Sequence, residues 1–420
     1  MRRVSSPVVC FPVVWCVALA AMLWPAARPL AALQAVGPRG APPAVRPGID
    51  RLLEDLRALR GSRLGLVTHQ AGVNRDGTPS ARLLADVEEV RLTALFAPEH
   101  GLDGTYDAGE AVPTIPGRTP VFSLYGGTFR PTRQMLARVD ALLVDLQDVG
   151  VRAYTYTSTM ALVMAAAREA GKKVVVLDRP NPMGGTIVDG PVLEPALRSF
   201  IGLYPIPYVF GMTIGELARL YNGAFGIGAD LTVVPMDGWT RTMRWGDTGL
   251  PWINPSPGIT GPDAVFTYAA TGPVDGTNLW NGVATDSRFQ VVLAPWLDGH
   301  RLAARLNRYG LPGVRFAASA LPHPRTGRVW YGVRLHVTDP AVFRPSTTLV
   351  YILVEIRRLH GDRLRFTAPR RGPYLFDLVW GTKDVRLGLL RGDDAATIVA
   401  RWQPALQRFL KLREGFLLYQ

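Results

Sequence analysis

Cysteine is nearly absent from this chain of 420 residues, which contains two of them. Both, Cys10 and Cys16, lie inside the first apolar segment of the chain. If that segment is removed after Ala32, the remaining protein has no cysteine. A disulfide, a catalytic thiolate and a cysteine-ligated metal are then excluded.

Lysine is also scarce. It occurs at only four positions, although Lys and Arg together number 47 against 34 acidic residues. The formal net charge of +13 therefore comes almost wholly from arginines, and these are scattered along the chain. Nucleic-acid binding usually shows basic residues clustered with aromatic ones on one segment. We therefore expect no nucleic-acid partner, and instead anionic surroundings such as a cell-envelope polymer.

Several motifs that would indicate a cofactor or a nucleophile are missing. No G-x-G-x-x-G turn follows the first predicted strand, and no phosphate-binding P-loop is present. No G-x-S-x-G nucleophile elbow occurs. The six histidines are far apart in sequence and include no H-E-x-x-H pair. The sequence therefore predicts a protein without a cofactor and without a metal site.

The amino terminus has the pattern of a secretory signal. Arg2 and Arg3 precede an uncharged apolar run at residues 8–23, and small residues follow it. We predict a signal peptide over residues 1–35 and a Pro-, Gly- and Ala-rich disordered spacer over residues 36–47. A membrane span needs about 20 apolar residues, so the run is short for one, but an uncleaved anchor stays open. The expectation is export to the periplasm or beyond, with membrane contact only through this segment.

Short apolar strands alternate with amphipathic helical patterns from Ile49 onward. The predicted strands cover residues 63–68, 92–97, 141–146, 174–177 and 231–235. Continuous hydrophobicity in strands of this length is typical of a parallel sheet that is buried on both faces. The predicted fold class is α/β, with a mostly parallel sheet domain over residues 48–285. The pattern of residues 286–420 predicts a smaller α+β domain at the carboxyl end.

Two other segments carry local expectations. Residues 49–59 have helical spacing, with Asp50 as the predicted N-cap. Residues 245–281 are rich in Gly, Pro, Asn and Trp, and we expect them to wrap a cleft between the domains.

Polar side chains follow each of the first four predicted strands. They are Thr68, His69 and Gln70; Glu99 and His100; Asp145, Gln147 and Asp148; and Asp178, Arg179 and Asn181. The carboxyl ends of parallel strands meet at one edge, where ligands bind. The alternative, which we favour for Asp178 alone, is that such residues cap helices and shape turns. Glu99 suits a site better, because Glu is a poor turn residue and the chain has only ten.

A site of carboxylates, tyrosines and arginines has the residues that glycoside hydrolysis needs. The motifs PEHGLDGTYDAGE, DLQDVGVRAYTYTSTM and DRPNPMGG begin at Pro98, Asp145 and Asp178, and GPVLEP and FGMTIGELARLYN follow in order. With them the chain resembles the exo-β-N-acetylmuramidase family over nearly its whole length after the first segment. The resemblance implies a Rossmann-like domain that carries most of the site and a smaller C-terminal domain that closes a cleft. It also implies release of terminal N-acetylmuramic acid (MurNAc) from the non-reducing end of peptidoglycan fragments, without metal or nucleotide.

The resemblance assigns candidate roles to residues within these motifs. Glu99 is the candidate general acid, Glu110 the second-choice carboxylate, and Asp148 a residue that orients water or a sugar hydroxyl. Arg152 is the candidate partner of the MurNAc lactyl carboxylate, with an internal salt bridge as the alternative. Tyr154 and Tyr156 are candidates to stack on a sugar, with core packing as the alternative. The remaining candidate substrate contacts are His69, Gln70, His100, Asp178, Asp275 and Asn278. The implied substrates are MurNAc-GlcNAc saccharides, where GlcNAc is N-acetylglucosamine.

The chain departs from the family pattern at three places. Asp275 stands where the family usually has Glu, and a second Glu and an Arg of the same motif are missing from residues 275–285. Gly258 and His69 each replace an Asn. Two alternatives therefore stay open: a wall-fragment-binding protein without turnover, and a glycosidase for another amino sugar or a uronic acid, in which Trp280 fills the vacated space.

Overall fold

The computed structural model describes residues 45–420. Its strands are β1 (Arg63–Thr68), β2 (Arg91–Ala97), β3 (Val121–Ser123), β4 (Ala141–Asp145), β5 (Lys173–Leu177), β6 (Asp189–Val192), β7 (Pro207–Val209), β8 (Leu231–Val234), β9 (Val291–Ala294), β10 (Val314–Pro322) and β11 (Val329–Val337). Its helices are α1 (Gly48–Leu52), α2 (Ser80–Ala85), α3 (Arg133–Leu136), α4 (Tyr156–Glu169), α5 (Ile214–Gly223), α6 (Ala264–Thr271), α7 (Gly299–Arg308), α8 (Pro345–His360), α9 (Leu375–Trp380), α10 (Asp384–Arg391) and α11 (Ala395–Arg413).

Six strands form one sheet in the order β3-β2-β1-β4-β5-β8, and every neighbouring pair is parallel. Counted along the chain this is the order 3-2-1-4-5-6 of a Rossmann-type sheet. The order reverses between β1 and β4, where Thr68 lies opposite Asp145. The predicted mostly parallel α/β sheet is confirmed, and the reversal fixes where a ligand site is expected.

The apolar residues of these strands are buried because helices cover both faces of the sheet. All five residues of β4 are buried. On one face the sheet packs with Met160 and Val163 of α4 and Leu217 of α5. On the other face it packs with Ile49 of α1 and Leu84 of α2. Burial on both faces is the physical reason for the uninterrupted apolar runs that predicted these strands.

The carboxyl-terminal part contains an antiparallel sheet in the order β10-β11-β9. Helices α7, α8, α10 and α11 pack with it or with one another, and β6 pairs with β7 in a separate two-stranded sheet. The smaller α+β domain is confirmed. Within residues 45–420, no helix has both the length and the apolar character needed to cross a membrane.

Two local expectations differ from the structure, and a third, that residues 245–281 wrap a cleft, stays a prediction. The helix predicted over residues 49–59 ends as α1 at Leu52, and Asp50 accepts a hydrogen bond from Arg75 N–H instead of capping α1. Residues 245–281 contain the helix α6. Val45, assigned to the spacer, is buried beside Met236 and Trp239. The signal peptide and the spacer up to residue 44 lie outside the described residues.

Candidate active site

The carboxyl ends of β1, β2 and β4 bring His69, Glu99 and Asp148 to one edge of the sheet. His69 Nε2 accepts a hydrogen bond of 3.0 Å from the backbone N–H of Gln147, which joins the end of β1 to the end of β4. The Tyr156 hydroxyl lies 3.3 Å from the backbone carbonyl of Glu99, which joins the end of β2 to the start of α4. These contacts lie where the strand order reverses, the position at which open α/β sheets bind ligands.

Glu99 is nearly buried, with 7 % of its surface exposed. Its Oε1 accepts a hydrogen bond of 2.9 Å from Gly109 N–H, and its Oε2 accepts one of 2.6 Å from the Thr155 hydroxyl. His100, the next residue, has a φ of 71° and turns the chain sharply after β2. A hydroxyl both donates and accepts, so Thr155 can pair with Glu99 as a carboxylate or as a carboxylic acid.

Asp148 has spare hydrogen-bonding capacity. Its Oδ1 accepts a hydrogen bond of 2.6 Å from Gly150 N–H. Its Oδ2 is buried and has no hydrogen-bond partner among the described residues. Burial raises the pKa of Asp148 to about 7, although the N–H groups of Gly150 and Val149 oppose the shift. Leaving a buried polar atom unpaired costs about 1–3 kcal/mol, and such groups concentrate at functional sites.

Three tyrosines, which we call the inner wall, surround this carboxyl group: Tyr154, Tyr156 and Tyr268. The ring of Tyr154 lies 4.7 Å from that of Tyr156 and 6.2 Å from that of Tyr268. Burial raises the pKa of all three phenols, and the charge of Asp148 adds to each shift. The Tyr154 hydroxyl is also buried without a partner among residues 45–420. The inner wall therefore keeps protonated hydroxyls beside Asp148.

The two predicted histidines have different environments. Burial and then the Arg179 charge lower the pKa of His69 to about 3, so its ring is neutral and supports the ends of the strands. His100 is 7 % exposed, and its Nδ1 lies 2.8 Å from the carbonyl of Tyr106. Donation from Nδ1 to that carbonyl leaves Nε2 of His100 available to a ligand.

Four predicted residues do not lie with Glu99 and Asp148. Glu110 is exposed and accepts a hydrogen bond from Asp107 N–H within its own turn. The side chain of Asn278 bonds the backbone of Arg363 and Arg365, which ties down a loop of the C-terminal part. Their predicted roles are corrected here: both side chains stabilise local backbone.

Asp178 is fully buried at the end of β5. It accepts hydrogen bonds from the N–H groups of Arg179 and Gly215 and from the hydroxyls of Thr213 and Tyr419. Burial raises its pKa to about 6. With four donors its oxygens are occupied, so the capping alternative holds and the predicted sugar contact is corrected.

Arg152 is 1 % exposed and forms no salt bridge with an acid of residues 45–420. Its guanidinium donates to the backbone carbonyls of Pro191, Ile206 and Val379, at 2.8–3.0 Å. This replaces both expectations for Arg152, the lactyl carboxylate and the internal salt bridge. The guanidinium instead joins the Rossmann-like part to α9 of the C-terminal part.

Gln70 and Asp275 lie at the border of the site. The Gln70 amide donates to the Asn254 carbonyl at 2.7 Å, and its Oε1 is buried without a described partner. Asp275 is exposed, but desolvation by the residues around its carboxyl group raises its pKa to about 6. Its charge also raises the pKa of Tyr268, after the larger effects of burial and Tyr154. Both remain candidate substrate contacts.

Trp280 lies against the C-terminal sheet. Its ring meets those of His323 and Trp330 at 4.8 and 5.9 Å, and its Nε1 donates to the Val283 carbonyl. These contacts hold the indole in a cluster with Val291 and Leu293.

Sequence reasoning did not single out three residues of this site: Thr155, Tyr125 and Tyr268. Thr155 lies inside the quoted DLQDVGVRAYTYTSTM motif, but the sequence did not show that its hydroxyl bonds Glu99. Tyr125 and Tyr268 lie outside every quoted motif, and no sequence signal pointed to them. Among residues 45–420, no three His, Cys, Asp or Glu side chains are grouped so that they could hold a metal ion.

Two buried carboxyl groups with unlike surroundings define the class of protein. They lie beside protonated tyrosines, at the point where the strand order of the Rossmann-like sheet reverses. The Glu99 carboxyl group accepts two hydrogen bonds, whereas one oxygen of Asp148 is unpaired among the described residues. Glycosidases use such pairs, one to protonate the leaving oxygen and one to stabilise or activate the opposite side. The site is that of a glycosidase.

Comparisons with known proteins carry this further. The N-terminal model of the exo-β-N-acetylmuramidase NamZ family matches residues 64–263, and its C-terminal model matches residues 266–419. The peptidoglycan β-N-acetylmuramidase NamZ of Bacillus subtilis (strain 168) is 44 % identical over 384 residues, which cover 90 % of this chain and 92 % of that protein. The chain belongs to the exo-β-N-acetylmuramidase family.

Solved structures agree with this family. One DUF1343 family protein of Bacteroides fragilis superposes with a TM-score of 0.83 at 35 % identity, over 90 % of this chain and 99 % of that one. A second protein of that description and organism has a TM-score of 0.71 at 28 % identity, with the same coverage. The sheet order and the two-part architecture are therefore shared with crystal structures.

Proposed function

We propose that this protein removes a terminal MurNAc residue from the non-reducing end of peptidoglycan fragments, with MurNAc-GlcNAc as its minimal substrate. The observation that carries the proposal is the pair Glu99 and Asp148, held at the switch point with one carboxyl oxygen of Asp148 unpaired. The B. subtilis relative, by its name a peptidoglycan β-N-acetylmuramidase, supplies the sugar and the linkage.

In this proposal Glu99 protonates the glycosidic oxygen as the bond to MurNAc breaks. The Gly109 N–H and the Thr155 hydroxyl hold its carboxyl group in place. General acid catalysis of this kind contributes about 10²–10⁴-fold to a rate. The orientation of the Glu99 carboxyl group is as important as its proton, because an acid that is misplaced relative to the glycosidic oxygen loses this contribution to the rate.

Asp148 acts on the MurNAc ring itself. Its unpaired Oδ2 accepts a hydrogen bond from a hydroxyl or N–H of the bound sugar, or from the attacking water. An ionised Asp148 also stabilises the positive charge that develops at the anomeric carbon in glycoside hydrolysis. The buried Tyr154 hydroxyl, likewise unpaired, is placed to bond the same sugar.

The compartment in which this occurs follows from the amino terminus. We propose export, because the Arg2–Arg3 pair, the apolar run and the small residues form the pattern of a secretory signal. Fusion of the signal-bearing residues to a reporter that is active only outside the cytoplasm tests this. A reporter that stays inactive contradicts export.

The test of the reaction uses the full-length protein with purified MurNAc-GlcNAc. Mass spectrometry is expected to detect free MurNAc and free GlcNAc in equal amounts, and Glu99→Gln is expected to abolish their appearance while keeping the wild-type melting temperature. Tyr331→Ala, on β11, is the control. A folded wild type that binds the disaccharide without cleaving it contradicts the proposal and identifies a wall-fragment-binding protein.

A further inference from the structure

A second aromatic surface lies beyond Glu99, outside the inner wall. We call it the outer platform, and it consists of Tyr125, Phe129 and Phe200. The ring of Tyr125 lies 5.4 Å from that of Phe129 and 5.8 Å from that of Phe200, and the two phenylalanine rings are 4.5 Å apart. Phe129 is 43 % exposed, so the platform faces solvent at one side.

Two separate segments build the outer platform. Tyr125 and Phe129 follow β3, at the same edge of the sheet as Glu99. Phe200 lies in a tight turn closed by paired hydrogen bonds between Ser199 and Gly202. The backbone N–H of Val112 bonds the carbonyl of Tyr125 at 2.7 Å, which anchors the platform to the loop that also supplies Gly109. Its rings are therefore held in place from more than one side.

The platform is continuous with the catalytic site through Tyr125. The backbone N–H of Leu124 bonds the carbonyl of Ala97, two residues before Glu99, at 2.8 Å, which places Tyr125 next to the end of β2. Burial raises the pKa of the Tyr125 phenol to about 12, and the charge of Glu99 adds to the shift. The charge of Asp148 acts on all three tyrosines of the inner wall, and the charge of Glu99 acts on two of them, Tyr156 and Tyr268. The order along the site is thus Asp148, inner wall, Glu99, Tyr125, and finally Phe129 with Phe200.

This order gives the two aromatic surfaces different partners. A general acid stands beside the oxygen of the leaving group, so the cleaved sugar lies on the Asp148 side of Glu99 and the leaving sugar on the other side. A β-linked pyranose ring has an apolar face of C–H bonds, and rigid aromatic rings bind such faces at a small cost in conformational entropy. Exposed aromatic side chains that adjoin a site are typical of ligand binding.

We propose that the outer platform is the subsite for the leaving-group sugar, an N-acetylglucosaminyl residue whose apolar face stacks on Phe129 and Phe200 while Tyr125 contacts Glu99. The proposal rests on the proposed function. It assigns the selectivity for a saccharide leaving group to residues that take no part in the bond cleavage.

The test compares two substrates that share MurNAc and differ in the leaving group. MurNAc-GlcNAc carries a sugar ring for the platform, and methyl β-MurNAc carries none. The double variant Phe129→Ala with Phe200→Ala is expected to lower kcat/KM for MurNAc-GlcNAc by about tenfold, through KM, since aromatic contacts of this kind contribute on the order of 1 kcal/mol each. For methyl β-MurNAc the change is expected to stay below about twofold.

Two control variants accompany the double variant. Phe129→Tyr keeps the ring and is expected to retain most of the kcat/KM for MurNAc-GlcNAc that the double variant loses. Tyr331→Ala removes an aromatic residue of similar exposure, 46 %, from β11, and is expected to change neither. Equal losses on the two substrates, or no loss on MurNAc-GlcNAc, overturn the subsite. A shift from dimer to monomer in the double variant, measured by sedimentation, overturns it as well, because the platform would then bind a second copy of the chain.

The failure of this inference differs from a failure of the proposed function. If the wild type cleaves both substrates and the platform variants lose no selectivity, only the subsite is wrong. If the wild type cleaves neither substrate, both proposals are contradicted together.

Discussion

Two neighbouring strands, β4 and β5, are followed by polar residues that the fold uses in opposite ways. At the end of β5, Asp178 receives four hydrogen bonds, and Arg179 is paired with Asp145 at 2.6 Å with both side chains buried. At the end of β4, Asp148 leaves one oxygen unpaired. The β5 end is a completed network that holds the fold, whereas the β4 end keeps capacity for a ligand.

The same contrast separates stability from activity. A fully paired buried network is destabilised strongly when one partner is removed, because the other charge stays buried alone. An unpaired buried group costs stability in the free protein and is satisfied only when something binds. Variants of Asp178 and of the Arg179–Asp145 pair should therefore unfold the protein, and variants of Asp148 should inactivate it without unfolding.

Arg179→Met should give the largest loss of stability. Its guanidinium makes two bonds to Asp145 and one to the Val73 carbonyl, all within a buried site. Its removal leaves the Asp145 carboxylate buried and short of partners, so we expect the free energy of unfolding to fall by about 3–5 kcal/mol. Urea denaturation measures this. A loss below about 1 kcal/mol contradicts the assignment of a completed network.

Tyr419→Phe should have a smaller effect of the same kind. The Tyr419 hydroxyl donates to Asp178 at 2.6 Å and accepts from Met236 N–H at 2.8 Å, which fastens the chain's carboxyl end to the sheet domain. Loss of the hydroxyl leaves both groups with one partner fewer, and we expect a destabilisation of about 1–3 kcal/mol. Turnover of MurNAc-GlcNAc at 25 °C is expected to remain as in the wild type; a large fall in kcat would place Tyr419 in the reaction.

Asp148 should set the pH dependence of activity. Its pKa of about 7 in the free protein means that the ionised form, which the proposed role requires, is lost as pH falls through 7. We expect kcat/KM to drop about tenfold per pH unit below that value. Asp148→Asn should have a lower kcat/KM overall, and its kcat/KM should not show this fall below pH 7. A wild-type profile that is flat from pH 5 to pH 8 contradicts the assignment.

The stability of the protein should change with pH in the opposite direction. A carboxyl group with a raised pKa binds its proton in the folded state over a range in which the unfolded chain has lost it, so stability falls as pH rises from about 4 to about 7. Asp178 and Asp275, with pKa values of about 6, act in the same sense. Asp148→Asn should flatten part of this decline in melting temperature between pH 4 and pH 7.

The sequence predicted the central strands well because their physics is local. Strands buried on both faces need unbroken apolar runs, and β1, β4 and β5 show them. The short strands β3, β6 and β7 were not predicted, because three or four residues carry too little periodicity and β6 and β7 contain proline. The predicted helix over residues 49–59 ended early because tertiary packing, not spacing, decides so short an element.

The site was predicted in part for a similar reason. Strand ends are readable from sequence, so Glu99 and Asp148 were found. Arg152 and Asp178 each have one partner more than 200 residues away, Val379 and Tyr419 respectively, and no local pattern reveals such partners. The sequence therefore predicted which polar residues lie at the sheet edge. It did not predict which of them already have all their hydrogen-bond partners within the folded chain.

The central claim is that Glu99 protonates the leaving oxygen while Asp148 acts on the cleaved sugar, and leaving-group dependence tests it most directly. A leaving group that is already stable as an anion needs little help from an acid. We therefore expect Glu99→Gln to lose about 10²–10⁴-fold in kcat on MurNAc-GlcNAc and far less on an activated aryl β-MurNAc, whereas Asp148→Asn loses similarly on both. The account would be contradicted if Asp148→Asn lost far more on MurNAc-GlcNAc than on the aryl substrate while Glu99→Gln lost similarly on both. Asp148 would then be the acid.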